Sequence, residues 1–160
     1  VDEAMLRAKN YAVSQYQSVR KFMDSLGIKK PLHIGETGWS SSSHAFYGPN
    51  GSHAADEYKA KLYYDHMREW SDKEGVSCFY FAAFNEQWKD LNDPRASENH
   101  FGMINLQGEA KYVWWDLVDQ KVFDGLTRGG NSITKTYGGD EQALIEQVLA
   151  PPITQEKEKL

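Results

Sequence analysis

Two glutamates end apolar runs fifty residues apart: Glu36 closes Leu32-His33-Ile34-Gly35-Glu36, and Glu86 closes the run that starts at Val76. Each is followed by a polar loop holding a tryptophan, Trp39 in the first and Trp88 in the second. In a parallel α/β fold the carboxyl ends of the strands share one edge, so both side chains are expected to face one crevice. That placement suits carboxylate chemistry on a neutral substrate. A glutamate at a strand end also caps the next loop or pairs with a lysine, and the pattern alone leaves both readings open. Trp39, Phe46, Tyr47 and Trp88 sit in the same two loops. Large aromatics in polar loops either cover apolar surface or meet a ligand, and flat faces beside acids fit sugar rings. Plugging the end of the fold is the alternative use.

The elements that must hold these residues follow from periodicity. Met5, Ala8, Ala12, Tyr16, Val19, Met23 and Leu26 step by three or four, which predicts a helix of about six turns ended by Gly27. Pro31 forbids its continuation, and residues 32–36 read as a short buried strand. Residues 37–52 hold Gly38, five serines, Gly48, Pro49, Asn50 and Gly51, a long loop of turn formers. A second helix is expected over about residues 54–74, with Ala60, Tyr63, Met67 and Trp70 on one face and Gly75 at its end. Residues 76–86 are apolar on both alternating faces, as in a parallel strand covered by helices, and Cys78 there reads as a small hydrophobe. A loop over 87–108 precedes a third helix carrying Tyr112, Trp115, Val118 and Val122.

This alternation predicts an α/β fold with a parallel sheet and right-handed crossovers. The last thirty-five residues differ: Gly129-Gly130 and Gly138-Gly139 bracket a loop, residues 143–149 read as one short helix, and Pro151-Pro152 with the charged run at 155–159 reads as a frayed tail.

Composition narrows the function classes. The 160 residues are about one domain in length, and 40% hydrophobic residues with five Trp, nine Tyr and seven Phe suffice for a core. Eighteen Lys and Arg against 23 Asp and Glu give a net charge of −5, with no basic stripe for nucleic acid. No apolar run is long enough to span a bilayer, and the single Cys78 excludes a small disulfide scaffold. His44, His53 and His100 follow no metal-ligand spacing, and nucleotide and serine-hydrolase motifs are missing. The chain opens at Val1 with a helical pattern already running, so a preceding portion is expected.

The loops carry a resemblance. Ile34-Gly35-Glu36-Thr37-Gly38-Trp39 resembles the G-E-T-G-W-P signature of glycoside hydrolase family 17, the β-1,3-glucanases and related glucanosyltransferases, with Ser40 in place of the usual Pro. Phe84-Asn85-Glu86-Gln87-Trp88-Lys89 looks like the family's F-[DN]-E-x-W-K block, and Glu98-Asn99-His100-Phe101-Gly102 is similar to its E-x-x-F-G. Three blocks in order make the match specific, and it covers about residues 5–125.

The resemblance implies a (β/α)8 TIM barrel with the first motif on strand seven and the second on strand eight. By the family pattern Glu36 is the catalytic nucleophile of a retaining double displacement. Trp39, Tyr47, Glu86, Trp88 and Lys89 are then substrate-binding, and Glu98 matches an acid near that lysine. No metal or cofactor is implied. Retention needs a second carboxyl group ~5 to 5.5 Å from the nucleophile, and in the family that acid ends strand four. A whole barrel takes about 250 residues, so this chain is expected to be its C-terminal part, with residues 1–125 as βα units and 126–160 as an extension. The expected partners are β-1,3-glucan and the N-terminal remainder of the barrel, and the expected location is secreted, periplasmic or cell-surface. A non-catalytic glucan-binding portion, part of a glucanosyltransferase, and a self-pairing structural unit are the alternatives.

Overall fold

A computed structural model describes residues 1–47 and 53–149. The turn formers at 48–51 and the expected tail from Pro151 onward lie outside the described residues.

Helix α1 spans Asp2–Ser25, and after it Gly27 takes φ 71° while the Ile28 N–H donates to the Met23 carbonyl at 2.9 Å. Helix α2 spans Glu57–Glu74 and starts at Asp56, whose carboxylate accepts the Lys59 backbone N–H at 2.7 Å. Such a cap stabilises by about 0.5–2 kcal/mol. Gly75 ends α2 at φ 64°, a left-handed conformation that costs glycine nothing in Cβ contacts.

Between the helices run β1, Ile34–Thr37, and β2, Cys78–Tyr80, paired in parallel with Ile34 opposite Cys78 and Thr37 opposite Tyr80. Met5 of α1 and Tyr63 and Met67 of α2 form the buried cluster, and Ile34, Trp39, Cys78 and Tyr80 pack onto it. Trp70 of α2 meets Tyr16 of α1 edge-on at 5.4 Å. The helices therefore cover one face of the strand pair. On the other face Phe79 is 64% exposed and Phe84 is exposed as well.

Several elements differ from the sequence expectation. The stripe on α1 faces the core at Met5, Ala8, Ala12 and Tyr16, whereas Val19 and Leu26 are exposed. The first strand starts at Ile34 rather than Leu32 and takes in Thr37, so Glu36 lies within it. Of residues 76–86 only Cys78–Tyr80 is strand. The cause is the length of β1: the Phe81 N–H donates to the Thr37 carbonyl at 2.7 Å, and there the ladder ends. Beyond it Ala82, Ala83 and Asn85 bond to the backbone of Phe101, Met103 and Ile104, which satisfies groups that would otherwise be orphaned.

The third helix is also shorter than expected. A 3-10 turn, Tyr112–Trp114, leads into α3, Trp115–Asp119, and Lys121 at φ 59° stops it before Val122, which is exposed. Strand β3, Glu109–Ala110, pairs in parallel with β6, Thr134–Lys135. Between them β4, Thr127–Arg128, and β5, Asn131–Ser132, form an antiparallel hairpin. Gly129 and Gly130 make its turn with φ 57° and 86°, the paired positive values that suit strand twist. Helix α4, Glu141–Ile145, begins at Asp140, which caps the Ala143 N–H, and so starts and ends ahead of the expected 143–149.

Two glycines decide how the three sequence blocks meet. A Cβ on Gly38 would overlap the Phe81 carbonyl oxygen and lie 3.3 Å from Phe101 Cδ1. One on Gly102 would overlap the Asn85 nitrogen and lie 2.7 Å from the Phe84 carbonyl oxygen. The first block thus touches the segment leading into the second at Phe81, and the third touches the second at Phe84-Asn85. Among the described residues, and its chain neighbours apart, Gly35 has no atom within 4 Å of the equivalent position. Thermal unfolding is therefore expected to show Gly38→Ala and Gly102→Ala losing about 1–3 kcal/mol or more by overpacking, with Gly35→Ala within about 0.5 kcal/mol of the parent. Equal losses at all three positions would contradict the close approach.

Candidate active site

Glu36 is exposed on β1 and lines an open groove of about 760 Å³ with Ala8, Ala12, Tyr16, Ile34 and Trp39. The groove runs along α1 and β1. Its neighbours are held firmly: the Thr37 hydroxyl bonds the Tyr63 hydroxyl of α2 at 2.8 Å, and burial pushes the Tyr63 phenol up. Trp39 donates its indole N–H to the Ala54 carbonyl at 2.8 Å, and its ring lies 5.1 Å from that of Tyr63. One face of Trp39 is consequently structural. The residue also borders a smaller apolar hollow of about 350 Å³ shared with Tyr47, Ala54 and Phe101. The Tyr47 hydroxyl bonds Ser43 Oγ at 2.9 Å.

The second block forms its own cluster. Glu86 and Lys89 make an ion pair at 3.6 Å, and the ammonium stands 3.9 Å from the centroid of the Phe81 ring and 5.8 Å from that of Trp88. Pairing with a lysine, one of the two uses open to Glu86 from sequence, is realised. Both side chains are about three-quarters covered, and the paired Glu86 oxygen is buried with no hydrogen-bond partner among the described residues, so the pair holds the carboxylate in place at a desolvation cost. Trp88 is 67% exposed. Glu98 is exposed in the 3-10 turn Ser97–His100.

A buried polar network between the blocks was not anticipated. Lys111, 5% exposed, donates to Ser41 Oγ at 2.6 Å, Asn85 Oδ1 at 2.7 Å and the His100 carbonyl at 3.0 Å. Burial lowers its pKa to about 7, opposed by the nearby Glu57 carboxylate. Burial in turn raises Glu57, while bonds to its carboxylate from Thr136 Oγ1 at 2.7 Å and the Tyr112 N–H at 2.8 Å hold it down. Burial lowers His100, whose ring nitrogen bonds the Pro94 carbonyl at 3.0 Å. Among the described residues no group of three or more His, Cys, Asp and Glu side chains is placed to hold a metal ion, and no helix is long and apolar enough to cross a membrane.

The arrangement can present one exposed carboxylate in a groove, and a second, lysine-paired carboxylate beside an exposed tryptophan. The fold has known counterparts. The chain is 57% identical to an endo-laminarinase from Formosa Hel1_33_131 and superposes with a TM-score of 0.94, over 99% of this chain and 40% of that one. A β-1,3-glucanosyltransferase from Rhizomucor miehei, solved as an active-site mutant in complex with laminaritriose, shares the fold at 20% identity, with a TM-score of 0.51 over 82% of this chain and 38% of that one. Over 93 residues, 54% of this chain and 28% of the relative, it is 35% identical to a glucan 1,3-beta-glucosidase from Arthroderma benhamiae. The chain therefore spans well under half the length of the relatives it matches, as a mixed α/β part of a TIM barrel. The model of glycosyl hydrolases family 17 matches residues 9–114, and the chain belongs to that family.

Proposed function

We propose that this chain carries the nucleophile of a retaining β-1,3-glucanase that cuts within laminarin-type chains. The observation that carries the reading is Glu36, exposed in the first block on β1 and lining an open groove with Trp39. The 57% identity to an endo-laminarinase over nearly the whole chain supports both the substrate class and internal cleavage. In this reading β1 and β2 are strands seven and eight, residues 1–125 are βα units, and 126–160 are an extension. The N-terminal remainder of the barrel brings the acid, and the protein works outside the cytoplasm, where its polysaccharide is found.

The chemistry runs in two displacements. A Glu36 carboxylate oxygen attacks the anomeric carbon, the glycosidic C–O bond breaks, and the leaving oxygen takes a proton from the second carboxyl group ~5 to 5.5 Å away. Water, deprotonated by that same group, then attacks the anomeric carbon and releases Glu36 from the ester. Trp88 offers a free face for a sugar ring, while Glu86 and Lys89 supply an acceptor and a donor for hydroxyls. Glu98 keeps the part that the family pattern gives it, an acid near that lysine.

Treating the complete enzyme with a 2-deoxy-2-fluoro glucoside and mapping the adduct is expected to find the ester on Glu36. Glu36→Gln is expected to lower kcat by about 10⁴-fold or more without unfolding the protein. An ester on Glu86, or inverted anomers in the product, would overturn the assignment.

The two tryptophans are expected to behave differently. Trp88→Ala should raise KM for laminarin with kcat little changed, as loss of uniform binding does. Trp39→Ala should also lower Tm, because it removes a hydrogen bond and core contacts. Unchanged glucan affinity in both variants would make the two residues structural only.

A further inference from the structure

One side chain outside all three sequence blocks ties the loop after the first to the second and third. Lys111 sits between β3 and the 3-10 turn that begins at Tyr112, and its own N–H is fixed to the Met103 carbonyl at 2.8 Å. Its ammonium has three N–H donors, and each goes to a different segment: Ser41 in the loop that follows the first block, Asn85 in the second block, and the carbonyl of His100 in the third. The acceptors are themselves cross-linked. Ser41 donates both its N–H and its hydroxyl to the His100 carbonyl, at 3.1 and 2.9 Å, and Asn85 Oδ1 also accepts the Gly102 N–H at 3.2 Å.

We propose that Lys111 is a positioning residue for catalysis, an ammonium clamp that sets the loop following Glu36 and Trp39 against the segment carrying Glu86 and Lys89. Through these bonds it holds the sugar-facing groups of the two blocks at fixed separation. The inference rests on the functional reading above, since positioning has meaning only for the reaction assigned to Glu36.

Its surroundings argue for a tuned role rather than simple packing. A buried lysine is a costly way to join two loops, because an ammonium must be desolvated and an apolar residue of similar volume is often as stabilising. What the lysine adds is three directed bonds from one point, which an apolar side chain lacks. The charged and titratable groups that face it are Glu57 from α2, His100 from the 3-10 turn Ser97–His100, and Tyr137, with Glu109 of β3 acting on Glu57. Glu57 is the counter-charge, and its carboxylate is taken up by Tyr112 and Thr136 rather than by Lys111 itself. The lysine therefore keeps its three donors for the loops.

The test uses the complete enzyme with laminarin as substrate. Lys111→Met keeps the stem and removes the donors. It is expected to lower kcat by about 10- to 100-fold, since small misplacements of reacting groups cost rate on that scale, with KM changing by less than about threefold. Ser41→Ala should lower kcat in the same direction by less, and the double variant should be no slower than Lys111→Met, because both changes cut one linkage. Amide hydrogen exchange over 38–47 and 85–101 is expected to quicken in Lys111→Met. A folded Lys111→Met with parental kcat, additive losses in the double variant, or unaltered exchange would each overturn the proposal. Should Lys111→Met fail to fold, Ser41→Ala decides: a fall in kcat supports the clamp and a parental kcat removes it. An unmodified enzyme that releases nothing from laminarin would sink the functional reading, and the exchange measurement would still judge the loop linkage separately.

Discussion

The carbonyl oxygen of Phe81 occupies the space that any side chain at position 38 would need. That contact lets the backbone after β1 press against the backbone after β2, and the rest of the site follows from it. The Phe81 N–H closes the β1–β2 ladder on Thr37, the Phe81 ring packs 5.7 Å from Phe101, and the Lys89 ammonium rests over the same ring. Gly102 repeats the arrangement one step later against Phe84 and Asn85. Gly38 and Gly102 therefore serve packing, and the chemistry is left to the side chains between them.

Around this centre the molecule is built asymmetrically. One face of the strand pair is sealed by α1 and α2 through Met5, Tyr63 and Met67. The other face leaves Phe79 and Phe84 in water, and the far half of α1 exposes Val19, Phe22 and Leu26. Each large apolar side chain left wet forgoes about 1.5–3 kcal/mol of burial, and an unpaired strand edge invites another strand. Of these side chains Val19 borders the groove that holds Glu36, together with the exposed Tyr11 of α1. Under the proposed function, the further barrel that covers these side chains also supplies the second carboxyl group.

Much of this was legible in the residues. The stepping of Ala60, Tyr63 and Met67, and the glycines at 27 and 75, predict α1 and α2 nearly to their ends, because helix periodicity and capping are local. The block order identifies the family for the same reason: its residues are contiguous. Most of what escaped depends on distant partners. The end of β2 is set by the length of β1; the Gly129-Gly130 hairpin is local but escaped because its strands are only two residues long, too short for alternation to show. Lys111 carries no local sign of burial, since its acceptors lie 70, 26 and 11 residues away. A lysine beside Ala110 and Tyr112 reads as an ordinary surface cation until the fold brings Ser41 to it.

Completion of the groove by further barrel is the claim on which the account stands, and complementation tests it most directly. Reducing-sugar release from laminarin would be measured for the 160-residue chain alone and after co-folding with the N-terminal part of a family 17 barrel. The account predicts no release from the chain alone and release from the pair, abolished by Glu36→Gln. A monomeric 160-residue chain that unfolds cooperatively and hydrolyses laminarin unaided would contradict it.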